Sequence, residues 1–219
     1  MSVTRMLVLG AVRIFQPTHG YFVRRELASW QVAEWAHLNP GSIYNALRAL
    51  TKDGLLIEET IERTEPTERA QKTEKTEKTR YLLTVDGDTE FVRLVREGLW
   101  KLHPYEPGWL LGGMSFWWAL TREEVLAALE ARAALLTARI SGSTFAAADF
   151  PATAAGSPDH VVEMFRIQES VLNGELAWVH AASDRIRGGA YGFSGEDPAR
   201  TWPAQHPGRP RAAPAEPSA

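Results

Sequence analysis

Apolar residues in the first half of the chain recur at intervals that predict three helices. Residues 6–15 are apolar on most sides, which is typical of a short helix buried among others, and Pro17 ends it. A second helix is predicted over 19–30, where apolar residues near helical spacing have charged residues between them. Asn39 followed by Pro40 marks the start of a third helix, and Asp53 with Gly54 marks its end.

The two faces of the third helix differ in chemistry. Ile43, Ala46, Leu47 and Leu50 share one face, which we expect to be buried. The opposite face combines small, hydrogen-bonding and cationic groups, unlike the Glu and Lys mixture of a merely solvated surface; it consists of Gly41, Ser42, Tyr44, Asn45, Arg48 and Lys52.

After Gly54 the apolar period changes from helix to strand. Leu55, Ile57 and Ile61 mark one alternating strand, and Tyr81 and Leu83 mark a second. The loop between them, about 63–79, contains a Lys-Thr-Glu repeat without apolar residues, which predicts a solvated loop. Three helices followed by a two-stranded hairpin predict a winged helix-turn-helix, whose third helix enters the major groove while the hairpin, or wing, touches the flanking backbone.

The second half of the chain is predicted to be helical, so the fold class is mainly α. Thr84 caps a helix to about residue 101, a capping box from Thr121 to Glu124 opens another, and a further helix runs over about 157–187. Residues 142–157 are rich in Ala, Ser and Gly and are predicted to be a linker. Since a domain of this size cannot bury all the apolar stripes, we expect them to pack against a second subunit.

These elements divide the chain into three parts. Residues 1–87 form the predicted DNA-binding domain, and residues 88–187 form a helical region for dimerisation and effector binding. Residues 188–219 contain 11 Gly or Pro in 32 positions and lack apolar periodicity, so the sequence predicts a disordered tail.

Composition and charge narrow the function classes. The chain has 219 residues and no Cys, which excludes disulfides and thiolate chemistry. Neither a membrane span nor a secretory signal is evident, so we expect a cytoplasmic protein without a membrane partner. The net charge of -3 combines +1 over residues 1–104 with -4 over residues 105–219, so the acidic half conceals a near-neutral DNA-binding half.

Several motifs in the first half resemble the PadR family of bacterial transcriptional regulators. In chain order they are His19-Gly20-Tyr21, then Pro40-Gly41-Ser42-Ile43-Tyr44 continuing through Leu47, Leu50 and Gly54-Leu55, and finally Arg80-Tyr81-x-Leu83-Thr84-x-x-Gly87. The chain departs from the family at Asn45, where Pro is common, and in the longer wing. The resemblance implies a homodimer formed through C-terminal helices and an effector of phenolic or drug-like type.

The outer face of the third helix and the wing have predicted roles in binding double-stranded DNA. Gly41 and Ser42, at the helix N-terminus, suit a phosphate. Asn45 and Arg48 have the hydrogen-bonding geometry that reads adenine and guanine edges. The remaining positions are predicted phosphate contacts that set the docking geometry; they are Tyr44, Lys52, Lys75, Lys78 and Arg80.

Structural explanations stand beside these roles. Arg48 and Lys52 could be solvated charges, Tyr44 could lie at the edge of the core, and the repeat could be a plain linker. His19 is expected to help start the second helix. Five aromatic residues between the two halves are expected in the core and dimer contact, with an apolar effector pocket as the alternative; they are Trp100, Trp109, Phe116, Trp117 and Trp118.

The function predicted from the sequence is a dimeric transcriptional repressor that binds a pseudo-palindromic operator and is released by a small apolar or aromatic effector. The alternative is a winged-helix module for protein interaction without specific DNA binding. We expect no enzymatic activity, cofactor or metal site, because common catalytic motifs are absent and the adjacent Glu123 and Glu124 suit a helix cap.

Overall fold

The computed structural model of the protein describes residues 3–63, 76–103, 106–153 and 159–197. The elements are, in chain order, α1 (Val3–Phe15), α2 (Gly20–Ser29), α3 (Val32–Trp35), α4 (Pro40–Lys52), β1 (Leu56–Arg63), β2 (Thr76–Leu83), α5 (Val85–Trp100), α6 (Pro107–Ser115), a 3-10 turn (Trp117–Ala119), α7 (Arg122–Thr153), a second 3-10 turn (Asp159–Val161) and α8 (Val162–Arg187). None of the described helices has both the length and the apolar content needed to cross a membrane.

The head, which we define as α1 to β2, is built around α1. Every residue from Met6 to Val12 is buried, as are Ile14 and Phe15. This helix packs against α2, α4, α5, α6 and β2. The prediction of a helix buried on most sides is therefore confirmed.

α4 and the β-hairpin complete a winged helix-turn-helix. The strands pair antiparallel from Leu56 opposite Leu83 to Arg63 opposite Thr76. Thr18 extends this sheet by an isolated bridge to Tyr81, whose N–H donates to the Thr18 carbonyl at 2.7 Å. Between α2 and α4 lies the single-turn helix α3. It is too short to produce a recognisable apolar periodicity in the sequence.

The buried face of β1 differs from the prediction by one residue. Leu56 is 2% exposed and Ile57 is 50% exposed, although Leu55 and Ile57 were expected to share the inner face. The Leu55 N–H donates to the Leu50 carbonyl as α4 ends, so the strand begins one residue later. At Gly87 an added Cβ would lie 2.1 Å from the Leu55 carbonyl oxygen, so this glycine allows α5 to dock closely there.

The predicted caps of α5 and α7 are confirmed. The Thr84 hydroxyl accepts from the Gly87 N–H at 2.9 Å. At the start of α7, the Thr121 N–H donates to the Glu124 carboxylate at 3.0 Å, and the Glu124 N–H donates to the Thr121 hydroxyl at 3.2 Å. This reciprocal pair satisfies two donors that a helix N-terminus otherwise leaves unpaired.

The prediction of a linker from residue 142 is wrong as far as Thr153, because α7 continues through this stretch. Hydroxyls of Ser141 and Thr144 donate to carbonyls four residues earlier, and alanines favour the helix. α7 and α8 form an antiparallel pair, the hairpin, in which Arg132 bonds Glu175 and Thr144 bonds Glu169. Residues 154–157 of the predicted linker lie outside the described part of the chain.

The tail was predicted to be disordered from residue 188, and this is wrong for residues 188–197. Phe193 is fully buried, and the Arg122 guanidinium bonds the Glu196 carboxylate at 2.6 Å and lies over the Phe193 ring. Aromatic packing, the ion pair and hydrogen bonds to distant residues hold this segment without any local periodicity. Residues 198–219 lie outside the described residues.

Candidate nucleic-acid interface

The outer face of α4 is the largest concentration of sequence-predicted binding residues on one element. Tyr44, Asn45, Arg48 and Lys52 are exposed, while Ile43, Ala46, Leu47 and Leu50 are buried against the head. Gly41 is exposed and Ser42 half-buried at the N-terminus of the helix. The structure therefore brings these six predicted residues to the surface of one helix beside the wing.

The two predicted base readers bond each other in the free protein. An Arg48 Nη2 donates to Asn45 Oδ1 at 2.5 Å, across one helical turn. The Asn45 amide nitrogen and the other guanidinium nitrogens remain outside this bond. A purine edge would therefore meet a preformed pair of side chains and not two independent ones.

The N-terminus of α4 differs from the prediction at Ser42. Asn39 caps the helix, and its Oδ1 accepts from both the Ser42 N–H at 2.8 Å and the Ser42 hydroxyl at 3.0 Å. Both donors of Ser42 are therefore engaged within the protein, because the N-cap uses the group that was expected to meet a phosphate.

The wing contributes both signs of charge. Arg80 is half-buried on β2 opposite Glu59 of β1. The predicted contact Lys78 lies in β2, but its side chain is outside the described residues, as is the whole of Lys75. The wing surface that the structure describes is therefore not a simple basic one.

Tyr81 marks the junction between α4 and the wing. Burial raises the pKa of its phenol above the ordinary value, and the nearby Glu58 carboxylate adds to the rise while Arg48 opposes it. Arg48 thus lies within electrostatic reach of the wing, and Glu58 and Glu59, both exposed, place negative charge beside it.

His19 stands at the start of α2, and its side chain holds the wing. Its backbone occupies the N-cap position of α2, but its side chain makes no cap bond there. Instead, Nδ1 lies 2.7 Å from the Thr79 carbonyl oxygen of β2, a hydrogen-bonding distance. The expectation that His19 helps start α2 is confirmed for its backbone, and its side chain has the additional role of fixing the position of the wing.

The five aromatic residues between the two halves mostly pack in the interior. Phe116 is fully buried, with its ring edge-on to Phe91 at 5.2 Å and to Trp30 at 5.9 Å. Trp109 is buried and stacks on His103 at 4.6 Å. Trp117 and Trp118 are partly buried against the core, and Trp100 is 40% exposed.

A groove with a volume of about 460 Å³ lies elsewhere, between α6, α7 and α8. We call it the hairpin groove, and none of the five predicted effector residues lines it. The groove is not apparent in the sequence because its walls come from segments far apart in the chain. The only sequence signal is the spacing of Arg132, Leu136, Arg139 and Ser143, which places them on one face of α7.

Comparison with known proteins gives likenesses among solved structures only. No family model and no curated protein matches the chain. Bacillus subtilis PadR in complex with operator DNA is 20% identical, covers 85% of this chain and 98% of its own, and has a TM-score of 0.36. The same protein in complex with p-coumaric acid is 17% identical, with coverages of 84% and 99% and a TM-score of 0.31.

A protein of Streptococcus mutans UA159 is 16% identical, with coverages of 84% and 96% and a TM-score of 0.32. At these identities and TM-scores, the likeness carries no residue role or ligand over to this chain. The chain resembles PadR-type proteins, and the order of its helices and strands is that of a winged helix-turn-helix.

Proposed function

We propose that the protein is a transcriptional regulator that binds double-stranded DNA through α4. The observation that carries this proposal is the outer face of α4, where a base-reading pair and a cation stand exposed beside a wing. A helix of this kind fits the major groove, and the wing then lies along the flanking backbone. Because the head has little net positive charge, specific binding must rely on base contacts and on two heads acting together.

We propose further that the regulator is a homodimer. Met164, Ile167 and Val171 recur at intervals of three and four on α8 and are all more than 60% exposed. Such a stripe is typical of a helix face that packs on another helix. A second copy of this chain is the occupant that we propose, and two α4 helices one DNA turn apart would then require a pseudo-palindromic operator.

The proposed regulator acts as a repressor that a small apolar or aromatic effector releases from DNA. Phe116 links parts of the core, since its ring contacts Trp30, which follows α2, and Phe91 of α5, and α5 in turn packs against α7. A ligand that favoured one arrangement of these elements would change the spacing of the two α4 helices.

The decisive experiment selects DNA fragments with the purified full-length protein and then measures Arg48→Ala on the selected site. We expect an enriched palindrome and, for each half-site, a loss of about 5- to 150-fold in affinity, the effect of one bidentate base contact of about 1–3 kcal/mol. Arg166→Ala, which removes an exposed arginine of α8, is the matched control and should bind like the wild type.

If no palindrome is enriched, or if Arg48→Ala binds the selected site unchanged, the proposal fails. The wing carboxylates Glu58 and Glu59 would then favour the second candidate, a winged-helix module for protein interaction, because their charge repels phosphate. The dimer is tested separately by sedimentation: Ile167→Asp should give a monomer, and Tyr21→Asp, at an exposed site on the head, should not.

A further inference from the structure

The hairpin groove has apolar side chains from both α7 and α8 in its walls, with polar residues among them. Leu136 of α7 is fully buried, Leu172 of α8 is packed against the core, and Val171 is exposed at the rim. On α7 the lining residues run from Arg132 to Ser143, a stretch of about 16 Å of helix. The groove therefore suits a linear ligand with an apolar part better than a compact one.

Two polar atoms in the walls of the groove are buried without a hydrogen-bond partner. They are the Ser143 hydroxyl oxygen and His103 Nε2, on facing walls. A buried polar group left unpaired costs about 1–3 kcal/mol, so a ligand that offers acceptors here gains more than one that is wholly apolar.

Positive charge stands beside one of these atoms. Arg139 lies one helical turn before Ser143 on the same face of α7, is exposed, and makes no ion pair with any described residue. The other arginine of the groove, Arg132, is neutralised by Glu175 at 2.5 Å. Glu106, on the opposite wall, accepts from the Trp109 indole N–H.

We propose that the hairpin groove binds an elongated apolar carboxylate, of which a medium-chain fatty acid is the simplest example. The carboxylate accepts from the Ser143 hydroxyl and the Arg139 guanidinium, and the chain lies along Leu136 and Leu172. As the site of the effector, this inference rests on the proposed function; as a binding site it stands on the groove alone.

The test is calorimetric titration of the full-length protein with dodecanoate, without DNA. We expect saturable binding with one site per chain, and much weaker binding of dodecan-1-ol, which lacks the charge. Arg139→Gln should weaken dodecanoate binding about tenfold or more, because a charge-assisted bond is lost. Arg187→Gln removes an exposed arginine of α8 that does not line the groove and should have no effect.

A second variant tests the apolar part of the site. Leu172→Trp fills the groove and should abolish binding, while the circular dichroism melting curve shows that the variant is folded. Binding that does not saturate, equal binding of the alcohol, or an unchanged affinity in Arg139→Gln overturns the inference.

The selected DNA site separates this inference from the proposed function. If the protein binds that DNA but not dodecanoate, only the groove assignment fails. If it binds dodecanoate but no specific DNA, only the proposed function fails.

Discussion

The head buries its apolar residues, whereas the end of the α7–α8 hairpin farthest from the head exposes several of them. In the head, α1 buries its apolar residues on all sides, and the apolar face of α4 is covered as well. At the far end of the hairpin, Phe145 is 71% exposed and Met164 69% exposed. The head therefore completes its core within one chain, whereas the hairpin keeps apolar surface available for another molecule.

This difference would separate the stability of the head from the proposed dimerisation. Substitutions in the shared core should unfold the chain whatever its concentration, while substitutions on the exposed stripe should change only association. A fully buried side chain of this core is Phe116, which packs against α1 so closely that a Cβ on Gly10 would lie 2.3 Å from its ring.

Phe116→Ala should destabilise the fold more than the other variants, because it leaves a cavity between α1 and α5. We expect a loss of about 3–5 kcal/mol in the free energy of unfolding, the usual cost of removing a buried phenylalanine ring. Urea denaturation followed by circular dichroism measures it. Tyr21→Ala, at an exposed aromatic of the head, should change the same quantity by no more than about 0.5 kcal/mol.

Glu175→Ala should cause the next largest loss in the free energy of unfolding, because it leaves Arg132 without its carboxylate partner. The Arg132 side chain is only 5% exposed and also donates to the Leu99 and Lys101 carbonyls, so we expect a loss of about 1–3 kcal/mol. Glu163→Ala breaks an exposed pair on the same helix and serves as the control. Equal losses of stability in the two variants would show that the burial of the Arg132–Glu175 pair makes no difference.

Asn39→Ala should destabilise the head by about 1 kcal/mol, because the N-cap of α4 loses its acceptor. Asn39→Gly, in which glycine also suits the backbone of the cap, should destabilise the head by only a few tenths of a kcal/mol. Thermal melting compares the two. A loss confined to DNA affinity, with unchanged melting, would contradict the capping role.

Glu124→Gln should reduce the free energy of unfolding least of the four variants, and this reduction should depend on pH. The Thr121 backbone N–H, followed by Arg96, holds the pKa of Glu124 below its usual value. A depressed pKa in the folded state gives stability that is present above the unfolded pKa of about 4.3 and lost as pH falls through the folded pKa.

The difference in stability between Glu124→Gln and the wild type should therefore be present at pH 7 and shrink as the pH falls below about 4. Glu123→Gln, at the neighbouring exposed carboxylate, is the control in the same melting experiment. A difference that stays constant with pH would contradict the ion-pair and cap contribution.

The sequence was most informative where short-range chemistry decides the structure. The caps at Asn39, Thr84 and Thr121 and the faces of α4 are all visible in a few consecutive residues. The burial of Phe193 and the inner face of β1 were not, because each depends on contacts with distant elements. For the candidate interface, the residue types on α4 were predictable, but the bond between Asn45 and Arg48 was not.

That bond orders the two proposed base readers before any DNA is bound. Arg48 and Asn45 hold each other across one turn of α4, so they lose less conformational freedom on meeting a base pair than two independent side chains would. The guanidinium nitrogens outside the bond and the Asn45 amide nitrogen remain as donors for the base edges. On the proposed function, a head with little net charge would thus gain its selectivity from the prior order of two side chains and not from attraction to phosphate.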